Sequence, residues 1–218
     1  MIVLELFAGT SSVGNAFKDR GHEVFTVDYD KRFDVTSHAD IGCMGISDIM
    51  DMTGGLRPDV IWASPDCTTY SVAALSRHRR KDKATGWLMP LSDYAKQCDA
   101  TNQHLMRVIE YLDPTFWFIE NPRGAMRRMP WMQGLPRYTV TYCQYGARFM
   151  KPTDIWTNHP DPKFKPPCHN GDQCHEPVPR GSKTGIQAIG GGNSKVQRAV
   201  IPRELCEHIV DICEERLK

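Results

Sequence analysis

Four short apolar runs and a weaker fifth punctuate the first 120 residues, and their spacing leaves few folds open. They are Ile2–Phe7, Glu23–Asp28, Asp59–Ser64 and Thr115–Glu120, with Val35–Ile41 the weaker one. Each is too short for a helix, and the first and the last two are near-continuously apolar, as strands covered on both faces are. Between them lie segments with helical spacing: Ser11–Arg20, stopped by Gly21, and Leu91–Leu112, ended before Pro114. Strand-then-helix alternation predicts an α/β fold, a doubly wound and mostly parallel sheet with helices on both faces.

The second half reads differently. Arg137–Cys143 and Thr153–Thr157 predict an antiparallel hairpin. Pro160–Asn193 is rich in Pro, Gly and polar residues, with little periodicity, and Pro202–Leu217 returns to an amphipathic helix. The division expected is one main domain, residues 1–157 with 192–218, and a short irregular insertion, residues 158–191. A chain of 218 residues that is 40% hydrophobic can build one such core. No apolar run approaches the ~20 residues of a membrane span, and Met1–Phe7 lacks a basic leader and carries Glu5, so a cytoplasmic protein with no membrane partner is expected. The net charge of +1 excludes a bulk electrostatic case for nucleic acid, so any such contact needs a local basic patch.

In open α/β sheets ligands bind beyond the carboxyl ends of the strands, and the unusual residues lie there. The first run leads into Phe7-Ala8-Gly9-Thr10-Ser11, a small-residue turn that is either a plain tight turn or a place where a ligand meets backbone. The second ends in Asp28-Tyr29, either a turn acid with a half-buried ring or a ribose acceptor beside a purine platform. Asp40 ends the third run. Ser64-Pro65-Asp66-Cys67 follows the fourth, where Cys67 is a nucleophile or a quiet structural thiol. Glu120-Asn121-Pro122 closes the fifth. The run Arg77-His78-Arg79-Arg80-Lys81 is a phosphate clamp or a solvated mobile loop.

In this order the residues resemble the DNA cytosine-5 methyltransferase family, over most of the chain except the insertion. Leu6-Phe7-Ala8-Gly9 is similar to the family's first cofactor motif, and Asp28-Tyr29 to its acidic-aromatic pair. Ala39-Asp40-Ile41 resembles Gly-Asp-Ile. Ser64-Pro65-Asp66-Cys67-Thr68-Thr69-Tyr70-Ser71 resembles Gly-Pro-Pro-Cys-Gln-Gly-Phe-Ser, and Glu120-Asn121-Pro122 resembles Glu-Asn-Val. Gln144-Tyr145-Gly146 and Gly192-Asn193-Ser194 resemble Asp-Tyr-Gly and the closing Gly-Asn-Ser. The resemblance implies a Rossmann-like fold of the S-adenosylmethionine-dependent methyltransferase type, and a compact, phage-like or solitary member. It implies methyl transfer from S-adenosyl-L-methionine to carbon 5 of cytosine in flipped-out DNA. Cys67 would be the covalent nucleophile and Glu120 the group at the ring nitrogen. Lys151 is the cation kept from the eighth motif. Phe7, Gly9, Asp28, Tyr29, Asp40, Pro65, Asn193 and Ser194 would line the cofactor pocket. Ser71, Arg77, Arg79, Arg80, Lys81 and Arg148 would meet the nucleic acid.

Two departures from the family pattern shape the expectations. The eighth motif loses its final Arg, with Arg148 the nearest substitute, which keeps two alternatives open: methylation of tRNA, and an impaired relative that only binds cofactor and DNA. The insertion is short, which predicts relaxed or very short sequence specificity. No resident metal is expected. Cys168, His169, Cys174 and His175 form a compact set of possible zinc ligands, but adjacent Cys-His pairs do not easily converge on one ion, and two free thiols on a polar loop is the simpler reading. The other cysteines read as reduced, buried or scattered thiols, and a monomer is expected.

Overall fold

A computed structural model describes residues 1–179, 181–182 and 195–217. The elements are β1 Ile2–Leu6, α1 Ser12–Asp19, β2 Glu23–Asp28, β3 Ser37–His38, α2 Ile46–Met52, β4 Val60–Ala63, α3 Leu75–His78, β5 Arg79–Lys81, β6 Leu88–Pro90, α4 Asp93–Leu112, β7 Phe116–Pro122, β8 Arg137–Thr141, β9 Pro152–Thr157, α5 Lys195–Ala199 and α6 Arg203–Leu217. One seven-stranded sheet runs in the order β3-β2-β1-β4-β7-β9-β8, and β5 and β6 form a separate two-stranded ribbon. From β3 to β7 all pairings are parallel, while β9 is antiparallel to both β7 and β8. This is the doubly wound sheet with its hairpin. The chain leaves β1 in opposite directions, so a crevice opens beyond β1 and β4, where such folds bind ligands.

The period-two alternation of each strand sends side chains to two cores. Leu4, Leu6, Ile61, Ala63 and Ile119 face α4, whose Leu105, Val108, Ile109 and Leu112 cover them. Val3, Val60, Trp62, Phe118 and Ile155 face α1 and α6, meeting Phe17, Leu205, Ile209 and Cys213. Ser92 caps α4 by accepting the Ala95 N–H at 3.1 Å, satisfying one of the orphan donors at its start. Glu5 is the exception in β1. It is buried, accepts the α1 N–H groups of Val13 and Gly14 at 3.3 and 2.8 Å, and burial pushes its carboxyl up to about 7. A Cβ at Gly14 would stand 2.5 Å from that carboxylate, so this glycine serves the docking of α1 on the sheet.

Several boundaries move. The third run shrinks to the two-residue edge strand β3, because its polar residues face water. Phe7 leaves β1 with φ 56°. The hairpin strand stops at Thr141, and Cys143 lies on a single 3-10 turn, Tyr142–Tyr145. α2 was not anticipated; it starts where the Gly45 N–H meets the Asp48 carboxylate at 2.7 Å. The basic run Arg77–Lys81, which also read as a mobile loop, lies on α3 and β5. Among the described residues no helix is long and apolar enough to cross a membrane.

Candidate active site

At the end of β4 the chain runs Ser64-Pro65-Asp66-Cys67 into a 3-10 turn, Thr68–Tyr70. Asp66 shapes this corner: one oxygen takes the Thr68 N–H at 2.5 Å and the other takes the Tyr94 hydroxyl at 2.8 Å. Asn121, at the end of β7, donates its side-chain N–H to the Pro65 carbonyl at 2.9 Å, tying the strand that carries Glu120 to the segment leading to Cys67. Parallel pairing sets Ala63 beside Ile119, so Ser64 and Glu120 follow side by side. Glu120 is buried and accepts hydrogen bonds from the Tyr142 hydroxyl, at 3.1 Å, and from Ser64, whose oxygen in turn accepts the Trp62 indole N–H at 2.9 Å.

Burial dominates the electrostatics of this cluster. It pushes the Glu120 carboxyl up, against the pull of Lys151 and the two hydroxyls. It also pushes the Cys67 thiol up, and the Glu120 and Asp66 carboxylates act in the same direction while Lys151 opposes them. Lys151 donates to the Arg198 carbonyl at 2.9 Å and lies 4.5 Å from the centre of the Tyr142 ring. Cys67, Glu120 and Lys151 therefore lie close enough for their charges to act on one another. A groove of about 480 Å³ between the ribbon and α4 includes none of the three.

The cofactor candidates gather at the ends of β1, β2 and β4. Gly9 has φ 51°, a conformation glycine adopts without penalty, and a Cβ there would meet nothing within 4 Å. Phe7 and Ser11 flank it with φ 56° and 51°, and the buried Ser11 hydroxyl has no partner among the described residues. Asp28 takes the Gly9 and Asp30 N–H groups, both at 2.8 Å, which fastens the two turns together and leaves its other lone pairs available. The Tyr29 ring is 71% exposed, and Asp66 acts on its hydroxyl, so the platform adjoins the Cys67 corner. An acid, an open aromatic face, an open glycine turn and an unpaired hydroxyl are a donor set suited to an adenosine. Asp40 is exposed beyond β3, where it takes the Gly42 N–H at 2.9 Å. Pro65 is buried in the Cys67 corner. Asn193 and Ser194 lie outside the described residues.

The basic run divides. Arg77, Arg80 and Lys81 are exposed on α3 and the ribbon, and Ser71 is half-buried at its base. Arg79 corrects the expectation: its side chain is fully buried, pairs with Asp99 at 2.7 Å, donates to the Thr69 carbonyl at 2.9 Å and stacks 4.1 Å from the Tyr70 ring centre. The Tyr70 hydroxyl donates to Asp99 at 2.7 Å and accepts from Asn102 at 2.8 Å. This network locks the turn after Cys67 to α4, so Arg79 is unavailable to a phosphate. Its signal in the sequence was Asp99 and Asn102, polar residues on the apolar stripe of α4. Arg148 is exposed but ion-paired with Glu176 of the insertion. Tyr142, Ser64 and Asn121 were not given roles from sequence; Asn121 stood within a quoted motif, and nothing local marks Tyr142.

No protein-family model matches the chain. A protein of Frog virus 3 (isolate Goorha) described as "Probable DNA (cytosine-5)-methyltransferase" is 31% identical over 170 residues, spanning 72% of this chain and 71% of the viral protein. Among solved structures, a "putative DNA modification methyltransferase" encoded within an Escherichia coli prophage matches with TM-score 0.52 at 16% identity, over 72% of this chain and 46% of that one. The S. pombe Dnmt2 methyltransferase matches with TM-score 0.49 at 11% identity, over 72% of this chain and 48% of that one. The chain thus spans under half the length of these two solved chains.

Proposed function

The chain belongs to the DNA (cytosine-5) methyltransferase family, and on that premise we propose that it methylates carbon 5 of cytosine in DNA through a covalent adduct at Cys67. The family implies S-adenosylmethionine as the cofactor. Phe7, Gly9, Asp28, Tyr29, Asp40 and Pro65 would hold it, and Asn193 and Ser194 would close the pocket. When bound, it supplies an electrophilic methyl group.

The reading is supported most by one observation: the strand register and the Asn121 tie set the Cys67 corner beside the buried Glu120 carboxyl, with Lys151 acting on both. Carbon 5 of cytosine is a poor nucleophile until the ring is made electron-rich. The Cys67 sulfur, once its proton has passed to solvent, bonds to carbon 6, and the electron pair moves toward carbon 5. Glu120, whose burial favours the protonated carboxyl, holds a proton at N3 and draws charge away from carbon 6. Tyr142 and Ser64 orient that carboxyl. After carbon 5 is methylated, loss of its proton to solvent and of the Cys67 sulfur restores the ring. Lys151 lies where its charge favours the thiolate and stabilises the developing negative charge. The base must leave the stack to reach Cys67. Arg77, Arg80 and Lys81 would hold the flanking phosphates, with Ser71 at the base of their support. Residues 1–157 with 192–218 form the catalytic domain in this reading, and 158–191 the reduced recognition segment.

The test is trapping on a duplex carrying 5-fluorocytosine in the presence of cofactor, where the departing proton is replaced by fluorine and the adduct persists. The wild type should shift to a covalent complex and Cys67→Ser should not. A normal methylation rate in Cys67→Ser, or trapping on a tRNA transcript and none on DNA, overturns the proposal.

A further inference from the structure

Outside this site, the sulfurs of Cys143, Cys168 and Cys174 and Nδ1 of His175 converge, all lying within 4.8 Å of one another. They come from the 3-10 turn after β8 and from the insertion. We propose that these four side chains bind one zinc ion, which staples the insertion to the turn carrying Tyr142.

The distances carry the argument. Zinc bonds of about 2.3 Å to sulfur and about 2.0–2.1 Å to nitrogen imply tetrahedral edges of about 3.8 Å between sulfurs and about 3.6 Å from sulfur to nitrogen. Cys174 lies 3.6 Å from Cys143 and 3.5 Å from His175, and Cys168 lies 3.7 Å from His175. Cys143 and Cys168 stand closer, at 3.1 Å, and need to part slightly to admit the ion. Three thiolates and one imidazole are a closed structural set, with no position left for substrate. Binding releases the three thiol protons and changes no oxidation state.

The surroundings suit such a site. The Gln144 side-chain N–H points to the Cys174 sulfur at 3.5 Å, and the Thr141 hydroxyl accepts the Cys168 N–H at 2.9 Å. From Lys165 to Pro179 Cys168 alone is buried. A segment with so little apolar burial has no hydrophobic reason to hold one conformation, and a metal supplies that reason. The ligand set differs from the sequence expectation by one exchange. His169 is exposed and outside the cluster, its backbone N–H bonded to the Asp172 carboxylate at 2.7 Å, and Cys143, far off in sequence, takes its place. Only one adjacent Cys-His pair then has to converge on the ion.

The experiment is elemental analysis of the full-length, tag-free protein, purified under nitrogen without added zinc. About one zinc per chain is expected in the wild type and in Cys43→Ser, an exposed thiol outside the set. Cys174→Ser and His175→Ala, folded by circular dichroism, should each lose zinc about tenfold, with a Tm lower by about 5 °C or more. Because both variants could fail to fold, cobalt is also exchanged into the wild type, where the charge-transfer intensity of three thiolates and the visible bands of a tetrahedral ion are expected. A wild type that stays zinc-free after incubation with equimolar zinc overturns the proposal. So does undiminished zinc in both variants, an octahedral cobalt spectrum, or a Cys143–Cys168 disulfide in a non-reducing peptide map.

Discussion

At the scale of residues, Cys67 carries opposing influences with separable origins. Burial and the Glu120 and Asp66 carboxylates hold the thiol in its protonated form, and Lys151 alone among the named causes with charge favours the thiolate. Alkylation of Cys67 by iodoacetamide, followed against pH, therefore reads the balance. In Glu120→Gln the loss of a negative charge should move the alkaline limb to lower pH. In Lys151→Met the loss of a positive charge should move it to higher pH. Movement of both variants in the same direction would contradict the coupling described for this cluster. The family motif marked Cys67 and Glu120, because both follow apolar strands and match ordered motif positions. Tyr142 and Ser64, which hold the Glu120 carboxyl, were not legible as such: a tyrosine in an apolar stretch reads as core, and only the sheet register reveals what its hydroxyl reaches.

At the scale of elements, the ribbon β5–β6 shows how one basic run serves two purposes. Arg79 points inward to Asp99, while Arg80 and Lys81 point to solvent. Asp99→Ala leaves the Arg79 guanidinium buried without its partner and should destabilise the protein by about 3–5 kcal/mol, measured by urea unfolding. Arg80→Ala combined with Lys81→Ala should leave stability within about 0.5 kcal/mol. The same pair should weaken DNA binding and reduce the slope of log K against log salt by about 2. Unfolding curves that coincide for Asp99→Ala and the wild type would contradict the structural role of Arg79. Sequence reading assigned one role to the whole run, since neighbours in sequence carry the same charge. The direction each side chain takes is set by α4, where Asp99 and Asn102 wait on the buried stripe.

At the scale of the molecule, the proposed catalytic assembly and the proposed recognition segment are unequal. From Lys165 to Pro179 the insertion is mostly exposed, and Arg148 is tied to Glu176. Direct readout needs several groups held against base edges. Bisulfite mapping of DNA from cells expressing the protein should therefore show modified cytosines in a relaxed context or a very short motif. A long, strictly defined site would contradict this reading of residues 158–191.

What the sequence determined by itself was the order of the parts. Short apolar runs alternating with helical spacing dictate a parallel sheet, because near-continuous apolar strands must be covered on both faces. That sheet places chain turns, and the motif residues in them, at its carboxyl edge. The tertiary structure alone decided which distant residues meet there: Ser64 and Tyr142 on Glu120, Asp99 on Arg79, Cys143 among the sulfurs of the insertion. Local pattern reports which face of an element is buried, but contact depends on strand order, register and crossover, and these are settled by the packing of the whole chain.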